Sequence, residues 1–397
     1  MNKKIALLLA AAMLMLASCG GSAPAAPAAP AAPAAPATPA APAAPAASEA
    51  APAAPAESEG LFPAIPKDEI KVGVVHITDP AEGSGYTFTH DQGIVGMQKN
   101  LGLRDDQILR KINVNDSDAT AIETAILECI EEGCHIIFAT SWGYMDTCEA
   151  LAEEYPEVII CHGTGYKSNG ANFTNYFGRI YQARYLSGIA AGLKTESNKL
   201  GYVAAWGTEN GEVTSGLNAF AMGAYSVNPD CEVYVKTTNS WFDPEGEKQA
   251  ALALADEGCD VISQHCDTPN PQLVAEERGI WGVGYNSDMR KDAPKAVLTS
   301  AVWNWSAYYT WAVEQAINGS WTGENYYGGL TEGFVDITEL SDLAAEGTAE
   351  KIEEARAKIL SGEWDVFDGE IEGNDGQKHT SEYYSDINWY FKNVVVK

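Results

Sequence analysis

The sequence predicts an α/β protein built from two doubly wound parallel-sheet units. Short β-rich runs alternate with helical runs at the spacing that right-handed crossovers require. Several helical runs stop at a glycine, and the same rhythm starts afresh near Tyr181.

In chain order, residues 70–76 form the first β-rich run, and a helical segment follows to Leu101. Residues 108–114 are the second strand. Residues 119–132 set Ile122, Ala125, Ile126, Cys129 and Ile130 on one helical face, and Gly133 ends that helix. Strand 135–139, helix 144–155 and strand 158–161 complete the first unit. The second unit gives helices over 181–194, 213–227, 245–257 and 271–278, and strands over 200–205, 231–236, 260–264 and 280–284. Asp243 and Pro244 read as the N-cap and first residue of the third of these helices, which Gly258 stops. Residues 344–361 form a charged amphipathic helix with a solvated face. The aromatic tail around Tyr383, Tyr384, Trp389 and Phe391 is expected to pack back onto a lobe.

The N-terminal stretch has a different character. Lys3 and Lys4 precede an apolar run over residues 5–16, which is too short to span a bilayer. It fits an export signal over residues 1–18. Leu16, Ala17, Ser18 and Cys19 resemble a bacterial lipobox, with Cys19 as the acylated residue. Residues 23–56 repeat Ala-Ala-Pro and read as a semi-rigid spacer, so 19–66 is lipidated cysteine plus linker. The expected location is the extracytoplasmic face of the cell membrane, held by the lipid.

A net charge of −30 and a pI near 4.4 exclude nucleic acid as a partner. Of eight cysteines, seven remain if Cys19 is lipidated. Their spacing suggests no zinc site, and they read mainly as small buried residues, with a disulfide or two open to an exported protein. No metal and no cofactor is expected.

Ligands of open α/β sheets sit beyond the carboxyl ends of the strands. The loops expected there are 84–92, 141–146, 163–167, 240–244, 264–268, 286–289 and 300–305, all rich in aromatic, amide, hydroxyl or acidic residues. Such loops suit a flat polar molecule.

Their sequences resemble the ligand loops of the basic membrane protein (BMP) family of lipoproteins. The series opens with Gly83-Ser84-Gly85-Tyr86-Thr87-Phe88-Thr89-His90-Asp91-Gln92. It continues through Ser141-Trp142-Gly143-Tyr144, His162-Gly163-Thr164-Gly165, Arg184-Tyr185-Leu186, Asn239-Ser240-Trp241-Phe242 and Gln264-His265-Cys266-Asp267. Ser287-Asp288-Met289 and Ala301-Val302-Trp303-Asn304-Trp305 close it. The resemblance runs over about residues 70–336. It implies a type I periplasmic-binding fold, with lobe 1 over 67–177 plus about 302–326 and lobe 2 over about 178–301 plus 327–397. It also implies service to an ABC permease, as a monomer, with a purine ligand. Tyr86 and Trp241 match positions that hold the base between rings. Trp142, Asp267 and Asp288 are further ligand candidates. Nucleoside-binding relatives carry Asp at the position of Asn286 and Lys at that of Trp303, both near the ribose. The exchange removes charge and favours a bare base, adenine first.

Other readings stand beside this one. The closed lobes could signal to a membrane partner, or the same fold could hold a sugar. Nucleoside hydrolysis would need catalytic groups, but His90 and His265 read as structural and no acidic metal cluster is evident. Asp91 reads as a hinge or cap as readily as a ligand contact. The protein is expected not to be an enzyme.

Overall fold

A computed structural model describes residues 60–381 and 386–396. The expected signal, Cys19, the Ala/Pro linker and the pair Tyr383–Tyr384 lie outside the described residues. The chain begins with β1 (Val72–Val75), α1 (Gly85–Leu101), β2 (Ile108–Lys111), α2 (Ala119–Glu131), β3 (Ile136–Ala139), α3 (Met145–Glu154), β4 (Ile159–Gly163) and β5 (Phe173–Gly178). It continues with α4 (Ile180–Lys194), β6 (Lys199–Ala204), α5 (Gly211–Val227), β7 (Glu232–Thr237), α6 (Pro244–Asp256), β8 (Val261–His265), α7 (Asn270–Arg278), β9 (Trp281–Asn286) and β10 (Val297–Trp303). The last elements are α8 (Trp305–Asn318), β11 (Tyr326–Gly328), β12 (Val335–Ile337), α9 (Thr348–Ser361), β13 (Ile371–Glu372), β14 (Lys378–His379) and β15 (Val394–Val396).

Two large sheets result, one per lobe, and β13 and β14 form a small antiparallel pair of their own. The first runs β11-β5-β4-β3-β1-β2 with every pair parallel. The second runs β12-β10-β9-β8-β6-β7-β15, and β12 alone is antiparallel to its neighbour. Strands such as β1 and β3 are buried on both faces, which is why they read as unbroken apolar runs. The chain passes between the sheets at three places, 178–180, 303–305 and 328–335. Among the described residues no helix is long and apolar enough to cross a membrane.

The helices start and stop where the sequence signals them. Asp118 caps α2 by accepting from the N–H groups of Thr120 and Ala121, and Asp243 caps α6 by accepting from Gly246 N–H at 3.0 Å. In the second lobe α4 and α5 approach almost backbone to backbone. A Cβ on Gly188 would lie 2.1 Å from the Phe220 carbonyl, and one on Gly223 would lie 2.0 Å from that of Tyr185. The aromatic tail packs inward as expected, with Trp389 and Phe391 buried.

Two stretches read as loops are regular structure. Residues 84–92 are mostly helix, because α1 begins at Gly85. Its first turns hold Gly, Thr and His, which are weak helix formers. Packing of α1 on α8 secures them, with Gly93 pressed against Trp305. Residues 300–303 lie inside β10, a central strand. The Thr299 hydroxyl donates to the Thr338 carbonyl at 2.7 Å, the Ser300 N–H donates to Thr338 Oγ1 at 2.9 Å, and Ser300 Oγ accepts from Met289 N–H at 3.1 Å, so these polar members are buried with partners.

Candidate ligand-binding site

Strand ends from both sheets converge where the lobes meet. From the first lobe come Tyr86 and His90, on the opening turns of α1, and Trp305, the first residue of α8. From the second come Glu212 at the start of α5, Trp241 after β7, His265 and Asp267 at the end of β8, Tyr285 and Asn286 at the end of β9, and Trp303 at the end of β10. The contact is close, since a Cβ on Gly85 would lie 2.7 Å from the Asp267 carbonyl oxygen. A small recess of about 260 Å³ opens there, between Tyr86 and Thr87 on one side and Phe242, Asp267 and Pro269 on the other.

Each lobe presents an aromatic ring set edge-on to a histidine. Tyr86 meets His90 at 4.3 Å between centroids, and Trp241 meets His265 at 6.0 Å. The Tyr86 hydroxyl donates to the Thr140 carbonyl at 2.6 Å, which fixes its ring. His90 stacks on Trp305 at 3.9 Å, and Trp305 stacks on Trp303 at 4.8 Å. Trp303 donates its indole N–H to the Tyr285 hydroxyl at 3.2 Å. An aromatic wall therefore runs across one of the three crossings.

Behind the wall lies a buried polar group. Tyr285 donates to Glu212 Oε1 at 3.3 Å, and His265 Nε2 lies 3.4 Å from the same oxygen. Arg184, fully buried, stacks on Tyr285 at 4.0 Å and donates through Nη1 to the Gln264 carbonyl at 2.6 Å. Burial pushes the Glu212 carboxyl up to about 7, against the pull of Tyr285 and Arg184. Burial also holds Asp267 well above the carboxylate range, helped by the charges of Glu247 and Glu212. Burial lowers His90 and His265, so both imidazoles are neutral at pH 7. The site thus combines one fixed cation with carboxyls that resist ionisation. Arg184 Nε and Nη2, Trp305 Nε1, His90 Nε2 and Asn286 Oδ1 are buried and have no partner among the described residues. These atoms offer a ligand donors from two sides and an amide acceptor. Among the described residues no group of His, Cys, Asp and Glu is placed to hold a metal ion.

Of the residues expected from sequence, the fold brings together Tyr86, Trp241, Asp267, Asn286 and Trp303. Asn286 donates to Asp267 Oδ1 at 2.9 Å, and Asp267 N–H donates to the Trp241 carbonyl at 2.9 Å. Trp142 and Asp288 are not brought in. Trp142 is 54 % exposed and pairs with Tyr166 at 5.6 Å, while Asp288 caps a short turn and holds Arg290 at 2.6 Å. Asp91 is tied to Arg110 at 2.6 Å. Glu212, Arg184, Tyr285 and Trp305 were not singled out as site residues from sequence. Arg184 carried the clearest signal, as a lone cation on the apolar face of a helix between Ala183 and Leu186.

Comparison with known proteins bears on this geometry. Over residues 70–370 the chain matches the family described as ABC transporter substrate-binding protein PnrA-like. A purine-binding protein of Brucella abortus (strain 2308) is 36% identical over 312 residues, 79% of this chain and 87% of that one. A protein of Haloferax volcanii, named as a candidate glucose-binding protein of an ABC transporter, is 35% identical over 72% of this chain and 71% of its own. Among solved structures, an ABC solute-binding protein of Aeropyrum pernix K1 superposes with a TM-score of 0.62 at 16% identity, covering 74% of this chain and 92% of that one. One from Conexibacter woesei gives 0.61 at 17%, covering 75% and 98%. These likenesses agree with the two-lobe type I periplasmic-binding fold. Proteins of this kind bind a small molecule and deliver it to a permease; they are not enzymes. The chain belongs to the PnrA-like (Bmp) family of ABC transporter substrate-binding proteins.

Proposed function

We propose that this protein captures a purine nucleobase, adenine first, between its lobes and hands it to an ABC permease. The observation that carries the reading is Trp303. Its N–H is given to Tyr285 at 3.2 Å and its ring lies on Trp305 at 4.8 Å. A ribose needs polar partners at that position, and an engaged indole supplies none. Tyr86 and Trp241 offer flat apolar faces from opposite lobes, which suits a planar ring. Asn286 Oδ1 can accept from an exocyclic amine, and burial biases Asp267 toward the protonated form, in which it donates as well as accepts. The free nitrogens of Arg184 suit ring acceptors. The likeness to the Brucella purine-binding protein supports the same ligand class.

Capture proceeds by hinge closure about the three crossings, as two-lobe binding proteins do. We further propose that residues 1–18 export the chain, that lipid on Cys19 holds it at the extracytoplasmic face, and that it works there as a monomer.

The Haloferax relative favours a second reading, a sugar, because stacked rings also suit pyranose faces. Titration calorimetry on the purified protein separates the two. Adenine is expected to bind at least about tenfold more tightly than adenosine or inosine, with no heat from glucose. Nucleosides binding ahead of adenine would overturn the base reading. Glucose binding without any purine response would overturn the purine reading altogether.

A further inference from the structure

Two cysteines of the first lobe meet across the end of α2. The helix ends at Glu131, Glu132 caps it, and Gly133 takes φ 81° to turn the chain into β3. Cys134 N–H donates to the Cys129 carbonyl and Gly133 N–H to that of Ile130, both at 2.9 Å. This closing pattern brings the side chains at its two ends into contact. Here both ends are cysteine. Cys129 is fully buried and Cys134 is 3 % exposed. Cys129 rests over Gly73 of β1, where a Cβ would come within 3.1 Å of its sulfur.

The second lobe repeats the device with one thiol. After α6, Glu257 caps, Gly258 takes φ 90°, and Cys259 N–H donates to the Leu254 carbonyl at 3.1 Å. Leu254 stands where the first lobe has Cys129, so Cys259 has no thiol opposite it. The first lobe also adds positive charge. Lys71 Nζ donates to the Glu132 carbonyl at 2.7 Å, and Lys111 lies on Glu128 at 2.6 Å, along the same helix end. The neighbouring Cys129 thiol lowers the pKa of Cys134, and Lys71 and Lys111 act in the same direction. Cys134 is therefore the nucleophile of the pair.

We infer that Cys129 and Cys134 are a redox pair that closes to a disulfide under oxidising conditions and pins the end of α2 to the start of β3. The oxidant is a small-molecule or protein disulfide. The Cys134 thiolate attacks one of its sulfurs, forming a mixed disulfide and releasing the first thiol. Cys129 then gives up its proton and attacks the Cys134 sulfur, releasing the second thiol. The two cysteines lose two hydrogens, and the oxidant becomes two thiols. In the structure both are thiols.

The test refolds the full chain from denaturant in glutathione buffers, traps free thiols with an alkylating agent, and cleaves after glutamate. The sequence then separates a fragment beginning at Cys129 from fragment 133–149, which holds Cys134 and Cys148. The expected result is a joined pair of fragments lacking two hydrogens, with the bond on Cys134. It should exceed the dithiol at least about tenfold while Cys259 stays alkylated. The oxidised protein should also unfold at a higher urea midpoint than the reduced one, because the bond constrains the unfolded chain. Cys129→Ala should abolish both the link and the redox dependence of the midpoint. Natively folded protein with Cys129 and Cys134 alkylated at every glutathione ratio overturns the inference, as does a bond from Cys134 to Cys148. The readouts involve no ligand, so they are independent of the purine reading.

Discussion

Glu212 joins the site's chemistry to the protein's stability. Its side chain is only 16 % exposed and its pKa is pushed from 4.5 to about 7, burial being the chief cause. Between those values the folded chain keeps a proton that the unfolded chain releases. Folding therefore binds protons, and the stability that Glu212 allows declines as pH rises from about 4.5 to about 7. The size of the effect is about 3 kcal/mol at most. Glu212→Gln has no proton to lose and keeps an oxygen for Tyr285. The variant is expected to gain on the native protein by about 1–3 kcal/mol between pH 4.5 and pH 8, as read by urea unfolding at each pH. A difference that stays flat with pH would show that the carboxyl ionises freely in the fold.

At the scale of elements, the join between α4 and α5 is the tightest helix contact of the second lobe. A methyl group on Gly223 would meet the Tyr185 carbonyl at 2.0 Å, and backbone cannot turn aside as a side chain can. Gly223→Ala is expected to lose about 1–3 kcal/mol despite alanine's better helix propensity, seen as a lower urea midpoint with unchanged slope. An unchanged midpoint would mean that the helices can part freely. This contact was not legible in the sequence, since it depends on which helix faces which. Most strands of the alternating series were legible, because two-sided burial makes them apolar runs and glycines mark the helix ends, but β5, with Thr174 and Asn175 inside it, was not. β10 was not, because Thr299 and Ser300 interrupt its apolar run and their partner Thr338 is remote in the chain. α8 was hidden by its aromatic content, Trp305, Tyr308, Tyr309 and Trp311 being indifferent helix formers. In the site, residues such as Tyr86 and Asp267 could be anticipated from the family resemblance. Glu212 could not, because a first-turn glutamate has ordinary uses on a helix, and Arg184 showed only as a lone cation on an apolar helix face.

Across the whole molecule, the function depends on how close the lobes can come. One close approach is Gly85 against the Asp267 carbonyl, where a Cβ would stand at 2.7 Å. Gly85 also holds φ 80°, a conformation that costs an alanine about 1–2 kcal/mol. Both facts make glycine the residue that lets α1 begin in contact with the opposite lobe. Tyr86 is the next residue, so separation at Gly85 also withdraws the Tyr86 ring from Trp241, Asp267 and Asn286. Gly85→Ala is therefore expected to hold the lobes apart when ligand is bound. Small-angle scattering at saturating adenine should give a larger radius of gyration than the native complex, and calorimetry an affinity lower by at least about tenfold. The loss of affinity and the expansion should appear together, since both follow from one steric contact. A variant that loses affinity yet scatters like the native complex would assign the defect to local strain in α1 and leave closure independent of Gly85.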